Sequence, residues 1–385
     1  MSTEDVEHWL LSRKNALINR ISLKPIEHSM RKGKPLSSKK GQAEAFFLVD
    51  DQGNWWILKK FHGNCKLDQR YLRKVSTLLP QTDGFLCGTN RHVLRQGTLL
   101  KTRGYHFSKD LDRWLDGTIL MPRIGGLDWS GLAGDIRSGQ IKLGPDHRLI
   151  ICRNLTTLIG LLEGMQCCHR DLSCGNVFIE PQTLEVYLID FDSLYHPSLS
   201  MPAVTTCGTA GYTAHHAWDQ GQLDVKKTWC PHVDRYALSL LNTEFLMVEH
   251  QSDATGEGGL FDQEEIKHQK GIGLTRIIQQ VQKTCPNAAQ LLDATLHSTR
   301  FADCPSPEAW LQVINTQRGP VINPPSLQEL AHIEFETLAN KVQRQPVPLW
   351  PAPSLDQLPA QTPRIAKKTM VSIPHISLPP DPWRN

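Results

Sequence analysis

The 385-residue chain has no apolar run approaching the 18 or more residues of a membrane-spanning helix, and no basic-then-apolar opening of the signal-peptide kind. Neither a bilayer span nor an export leader is expected, so the expected setting is the cytoplasm. The ten cysteines include no C-x-x-C pair and are scattered through a chain too long to need disulfide staples. Reduced core and loop thiols are the expected reading. A net charge of +3 is too small a field to draw nucleic acid or a membrane surface, and neither is an expected partner. The basic surplus is local: residues 1–40 carry nine Lys and Arg against four acidic residues. A solvated extension is the simplest account of it. What is present, 39% hydrophobic and 21% charged residues, suffices for one two-lobed domain of about 250 residues with extensions, or for two ordinary domains.

Hydrophobic spacing at Val6, Trp9, Leu10, Leu17 and Ile21 predicts a helix over residues 3–20, with Thr3 as its N-cap. A polar, basic stretch covers residues 30–42. Residues 45–49 (AFFLV) and 55–59 (WWILK) flank the turn-forming DDQGN and predict a β-hairpin. Helices are predicted over 67–79, ending at Pro80, and from Asp146 as N-cap to Gly164. Further helices are predicted over 234–248, 263–284 and 306–315. Between them, a loop at 169–176 leads to short strands at 177–180 and 185–189. Ser326 and Glu329 form a capping box that opens a last helix. Residues 345–385 are Pro-rich, with Pro348 and Pro351 in a P-x-x-P, and polyproline II or disorder is expected there.

Chemistry concentrates in residues 169–212, which hold HRDLSCGN (169–176), IDFD (189–192) and CGTAGYTAHH (207–216). Phosphoryl transfer with Mg²⁺ needs oxygen ligands for the metal and a carboxylate beside the attacking hydroxyl. Asp171 and Asn176 lie on one loop, and the following hairpin can return Asp190 beside Asn176.

These motifs resemble the protein-kinase superfamily, whose signature is H-R-D-L-x-x-x-N followed by D-F-G. The resemblance spans about residues 36–315 and is nearest to bacterial Ser/Thr kinases of eukaryotic type, in which D-F-D often replaces D-F-G. It implies an α+β, two-lobed fold: a β-rich N-lobe over about 36–120 and a helical C-lobe over about 121–315. Residues 1–35 would be a helical, basic extension, and 316–385 a capped helix with a Pro-rich tail. It implies an enzyme, a protein serine/threonine kinase using ATP and Mg²⁺, with Mn²⁺ as a substitute. By that resemblance Asp171 would be the catalytic base and Asn176 and Asp190 the metal ligands. Lys59 would bind the α- and β-phosphates, with Lys60 on the opposite face. Gly41 would stand in the phosphate loop, and Leu120-Met121-Pro122 in the adenine hinge. Asp234 would anchor the catalytic loop, and Thr209 would contact Asp171. The implied partner is a protein substrate, and family analogy adds a cognate phosphatase or a von Willebrand-type protein.

The departures are specific. Residues 38–45 offer only Gly41 as a glycine, and no glutamate lies between Glu44 and Glu163 to pair with Lys59, so Asp68 is the nearest acid. Asp192 takes the glycine position of D-F-G, and Ser173 stands where protein-Ser/Thr kinases usually carry lysine. The A-P-E motif reads Ala214-His215-His216, and the arginine that would pair with its glutamate is Cys304. Arg170 would receive a phosphate on a segment containing Ser198, Ser200, Thr205 and Thr206. His215, His216, Cys230 and His232 have zinc-binding residue types, but their spacing fits core or loop roles better. A scaffold without transfer activity and a small-molecule kinase are the alternative functions.

Overall fold

The AFFLV and WWILK runs pair across their turn at the centre of an antiparallel sheet. The computed structural model describes residues 4–40, 42–62, 68–97, 99–100, 109–202, 208–248 and 259–316. Helix α1 (Glu4–Ser12) precedes strands β1 (Ala16–Ile18), β2 (Ile21–Pro25), β3 (Ser37–Lys40), β4 (Ala43–Asp50) and β5 (Trp55–Phe61). Helix α2 (Gln69–Leu78), the single turn α3 (Leu86–Thr89), β6 (His92–Val93), β7 (Leu99–Leu100), α4 (Lys109–Leu115) and β8 (Ile119–Pro122) follow. The strand order is β6-β8-β5-β4-β2-β1-β7, with β3 also on β4. Asp50 fixes the central turn by accepting hydrogen bonds from the backbone N–H groups of Gln52 and Asn54 and from Trp56 Nε1. Register then sets the faces. Phe46, Leu48, Trp56 and Leu58 point into the sheet core, and Lys59 points to the other side.

The helix expected over 3–20 stops at Ser12. Arg13 adopts φ 53°, and the chain turns back as a two-residue hairpin at Asn19 and Arg20, both at positive φ. That is the turn geometry matched to strand twist, and Asn tolerates it well. The period-3.6 reading of Leu17 and Ile21 therefore fails, and β2 lies beside β4 with Lys24 opposite Val49. Val6, Trp9, Ala16, Ile18 and Leu23 bury with Phe46, Leu58, Leu111 and Trp114 in one cluster. Residues before 36, expected as an extension, thus complete the sheet core.

The rest of the described chain is mostly helical. Strands β9 (Leu127–Asp128), β10 (Val177–Ile179) and β11 (Val186–Leu188) form a small antiparallel sheet, and β12 (Trp218–Asp219) pairs with β13 (Gln222–Leu223). The helices are α5 (Trp129–Arg137), α6 (Pro145–Gly164), α7 (Asp234–Met247), α8 (Gln263–His268), α9 (Ile272–Thr284), α10 (Pro286–Leu296) and α11 (Pro307–Thr316). Helix α6 packs on α7 and α11 around Leu155, Ile159, Tyr236, Leu240 and Trp310. Its N-cap is Gly144 rather than Asp146, because Pro145 fits the first helical position and Asp146 falls inside the first turn. The helix expected over 263–284 is broken at Gln269, which takes φ 52°. Glu265 then accepts from the N–H groups of Gly273 and Leu274 and starts α9 afresh. Gly126 lets the chain cross from β8 to β9, since a Cβ there would lie 2.3 Å from the Ile179 carbonyl oxygen.

Sheet-rich and helix-rich regions are thus segregated along the chain, the expected α+β arrangement. No helix among the described residues is long and apolar enough to cross a membrane. Thr3, Gly41, Thr205, Thr206, the capping box at Ser326 and the Pro-rich tail lie outside the described residues.

Candidate active site

The 169–176 loop is held from below by α7. Asp234, buried at the first position of that helix, accepts from His169 N at 2.6 Å and Arg170 N at 2.9 Å. This lets Arg170 keep φ 68°, a conformation that is strained for a long side chain. His169 reaches the other way: Nε2 lies 2.7 Å from the Ile189 carbonyl, and its ring packs on Phe191. Asn176 Nδ2 donates to the Asp171 carbonyl at 2.7 Å and to Asp171 Oδ2 at 3.1 Å. The Asn176 carbonyl accepts from Ile189 N at 3.1 Å. The β10–β11 hairpin therefore does return Asp190 beside Asn176. Thr209 Oγ1 donates to Asp171 Oδ1 at 3.0 Å, so the GTAGY segment also meets Asp171.

Lys59 arrives from the sheet. Its Nζ lies 2.7 Å from Asp190 Oδ1 and 2.7 Å from Asp192 Oδ2. Arg91 Nη1 donates to Asp192 Oδ1 at 3.0 Å, and Arg91 Nη2 donates to the Leu72 carbonyl of α2 at 2.9 Å. Lys60 points to the opposite face, as strand alternation requires, where it donates to the carbonyls of Trp114 and Asp116. Asp68 does not reach Lys59; it caps α2 by accepting from Arg70 N and Tyr71 N. The acids on Lys59 come instead from the D-F-D segment. Arg91 had no sequence signal, because its partner lies 101 residues away.

Burial pushes the Asp171 carboxyl up to about 7, and the nearby charge of Asp190 adds to the rise, against hydrogen bonds from Thr209 and Asn176. Asp190 is also raised, because burial outweighs the Lys59 cation and Asp192 adds repulsion. Burial alone would raise Asp192 too, but Lys59 and Arg91 outweigh it and hold that carboxyl well below the usual range. Burial alone would lower Lys59, yet the two aspartates keep it above its ordinary value. Asp190 and Asn176 carry oxygen donors of the type a hard divalent cation takes. Asp171 and Asp190, both partly exposed, are held at a raised pKa, and the Asn176 amide nitrogen is committed to Asp171.

Met121 shares the Lys59 face of the sheet through its pairing with Ile57, whereas Leu120 is fully buried in the sheet core opposite Leu58. Of the two residues expected at the hinge, the side chain of Met121 thus lies on the Lys59 face and that of Leu120 on the opposite one. Met121 packs with Ile124, Cys87, Phe178 and Ile189 in a third, smaller apolar cluster. Phe178 and Ile189 lie on either side of the hairpin leading to Asp190, and single apolar residues in short strands gave no sequence signal of this packing.

Arg170 does not present its charge to a loop phosphate. Its guanidinium is buried, donating to the carbonyls of Ser193, Val225 and Thr228 and to Thr228 Oγ1, and it stacks on Trp229. Where the A-P-E glutamate and its arginine are missing, another pair stands: Glu163 of α6 accepts from Arg235 of α7, which also reaches the Cys304 carbonyl. His216 packs on Phe301. Among the described residues, the His/Cys set at 215–232 included, no group of three or more His, Cys, Asp or Glu stands together where it could hold a metal. No protein-family model matches the chain, and no curated protein matches it.

Proposed function

We propose that the chain is an ATP- and Mg²⁺-dependent phosphotransferase of the protein-kinase-like kind, acting on a protein serine or threonine hydroxyl. The sheet-rich region would be its small lobe and the helix-rich region its large lobe. The observation that carries this reading is convergence. Lys59 meets Asp190, 131 residues away, Thr209 and Asn176 both meet Asp171 within hydrogen-bond distance, and the charges of Asp190 and Lys59 act on the Asp171 carboxyl. Turn residues with only local roles have no cause to assemble in this way.

The roles follow from the chemistry of each group. Asp171, poised near neutrality and oriented by Thr209 and Asn176, would accept the proton of the attacking hydroxyl. Lys59 would hold the α- and β-phosphates of ATP by charge-assisted hydrogen bonds. Asp190 and Asn176 would hold Mg²⁺, which when bound neutralises charge on the transferring phosphates. The apolar faces of Ile57, Met121, Phe178 and Ile189 would receive the adenine ring. Thr209, reaching Asp171 from the GTAGY segment, favours a peptide hydroxyl over a small-molecule acceptor.

The deciding experiment is incubation with γ-labelled ATP and Mg²⁺, alone and with a generic protein substrate, beside the Asp171→Asn variant. Label on protein that disappears in the variant is the expected result. ATP binding without transfer would favour the scaffold, for which the poor glycine loop already speaks. Absence of both binding and transfer would reject the reading.

A further inference from the structure

We propose, resting on the phosphotransfer reading above, that Asp192 and Arg91 are positioning residues that hold Lys59 for phosphate binding, in place of an acid on α2.

The chain lacks any glutamate between Glu44 and Glu163, and Asp68 is committed to capping α2. Lys59 is nonetheless held by two carboxylates, and these differ in their surroundings. Asp190 keeps 35% of its side-chain surface exposed, sits in the left-handed region at φ 65° and lies next to Asn176. Asp192 keeps only 14%, and its second oxygen is fixed by Arg91, whose side chain is 3% exposed. Arg91 in turn donates to the Leu72 carbonyl. A continuous path of single contacts thus runs from the α2 backbone through Arg91 and Asp192 to Lys59. Tyr71 of α2 adds a second tie, donating to the Leu194 carbonyl at 2.6 Å, two residues beyond Asp192.

The two aspartates divide the work. An ammonium has three N–H donors. When Asp190 is engaged by a cation, Asp192 still holds one donor of Lys59 and leaves two for phosphate oxygens. A glycine at position 192 would leave Lys59 with no acid except the one the cation needs. The acid at that position is therefore what allows α2 to do without one. It also makes Lys59 sensitive to α2: a shift of Leu72 withdraws the anchor from Arg91 and then from Asp192.

The test is calorimetric titration of the full chain with ATP and Mg²⁺, together with melting temperatures, for Asp192→Asn, Arg91→Met, their combination, and Asp192→Asn in a Lys59→Met background. Asp192→Asn should weaken ATP binding by about 10- to 100-fold, the worth of a charge-assisted contact. Arg91→Met should weaken it in the same direction but by less. The double variant Arg91→Met/Asp192→Asn leaves neither charge buried alone, so it should melt higher than either single variant while its ATP affinity stays at the Asp192→Asn level. With Lys59 replaced by Met, Asp192→Asn should have no further effect on binding. A double variant that regains both stability and ATP affinity would reduce Asp192 to a structural partner of Arg91 and overturn the proposal. So would folded single variants that bind ATP as the wild type does, with the phosphotransfer reading left standing. A wild-type chain that binds no ATP would overturn both.

Discussion

Asp234 and Lys59 are two charges held in different ways, and they typify the regions they belong to. In the helix-rich region several polar groups are fixed by neighbours on that side. Asp234 takes two backbone N–H groups of the loop, Asn176 braces Asp171, and Glu244 accepts from Trp129 Nε1, Tyr212 OH and Leu260 N. The sheet-rich region contributes two charged groups, Lys59 and Arg91, and both are held by acids from the other side. One half of the site is prearranged, and the other is assembled across the boundary. Prearrangement is what makes a catalytic group effective, because small displacements cost large factors in rate.

The largest expected effect tests whether the sheet-rich region can stand without its first strands. Deleting residues 1–25 removes Val6, Trp9, Ala16, Ile18 and Leu23 from the core. Losing their burial would cost on the order of 10 kcal/mol, comparable with the stability of a whole domain. Insoluble protein, or loss of the cooperative thermal transition, is the expected outcome, and a soluble, sharply melting 26–385 chain would refute it.

Next, on the phosphotransfer reading, come the two aspartates. Asp171→Asn should lower transfer by roughly 10²–10⁴-fold, the range for a positioned acid–base group, with ATP affinity nearly unchanged. Asp190→Asn should lower metal-dependent binding and transfer together. Autophosphorylation rates set beside ATP titrations separate the two, and transfer at full rate in Asp171→Asn would sink the assigned role.

A smaller effect concerns Glu244 and pH. Burial pushes its carboxyl from 4.5 up to about 7, against hydrogen bonds from Leu260, Tyr212 and Trp129. Between those values the folded chain binds the proton more tightly than the unfolded one. Its contribution to stability is therefore full below pH 4.5 and is lost as pH rises through 7. The change is on the order of 3 kcal/mol. Glu244→Gln should flatten this part of the stability–pH curve in denaturant titrations from pH 4 to 8, and an unchanged slope would contradict it.

The smallest effect separates neighbours on one strand. Lys60→Met should cost about 0.5–1.5 kcal/mol, the worth of its bonds to the carbonyls at the end of α4. ATP affinity should not change, whereas Lys59→Met should weaken it. Equal effects on ATP binding would mean that the faces are misassigned.

Legibility followed locality. The 169–176 loop, the hairpin to Asp190 and the face of Lys59 could be read because each depends on spacing within one short stretch. The Arg91–Asp192–Lys59 contacts could not, since an ion pair between distant residues leaves no periodic trace. Strands β1 and β2 were missed because Leu17 and Ile21 also fit a helical stripe, and only the Asn at 19 hinted at a turn. Helix α10 was overlooked although Pro286 marks its first position.

The surroundings of Arg170 carry a last consequence. Main-chain carbonyls and the face of Trp229 engage this guanidinium on several sides. On the phosphotransfer reading, a phosphate placed on Ser198 or Ser200 would have to draw Arg170 away from these partners.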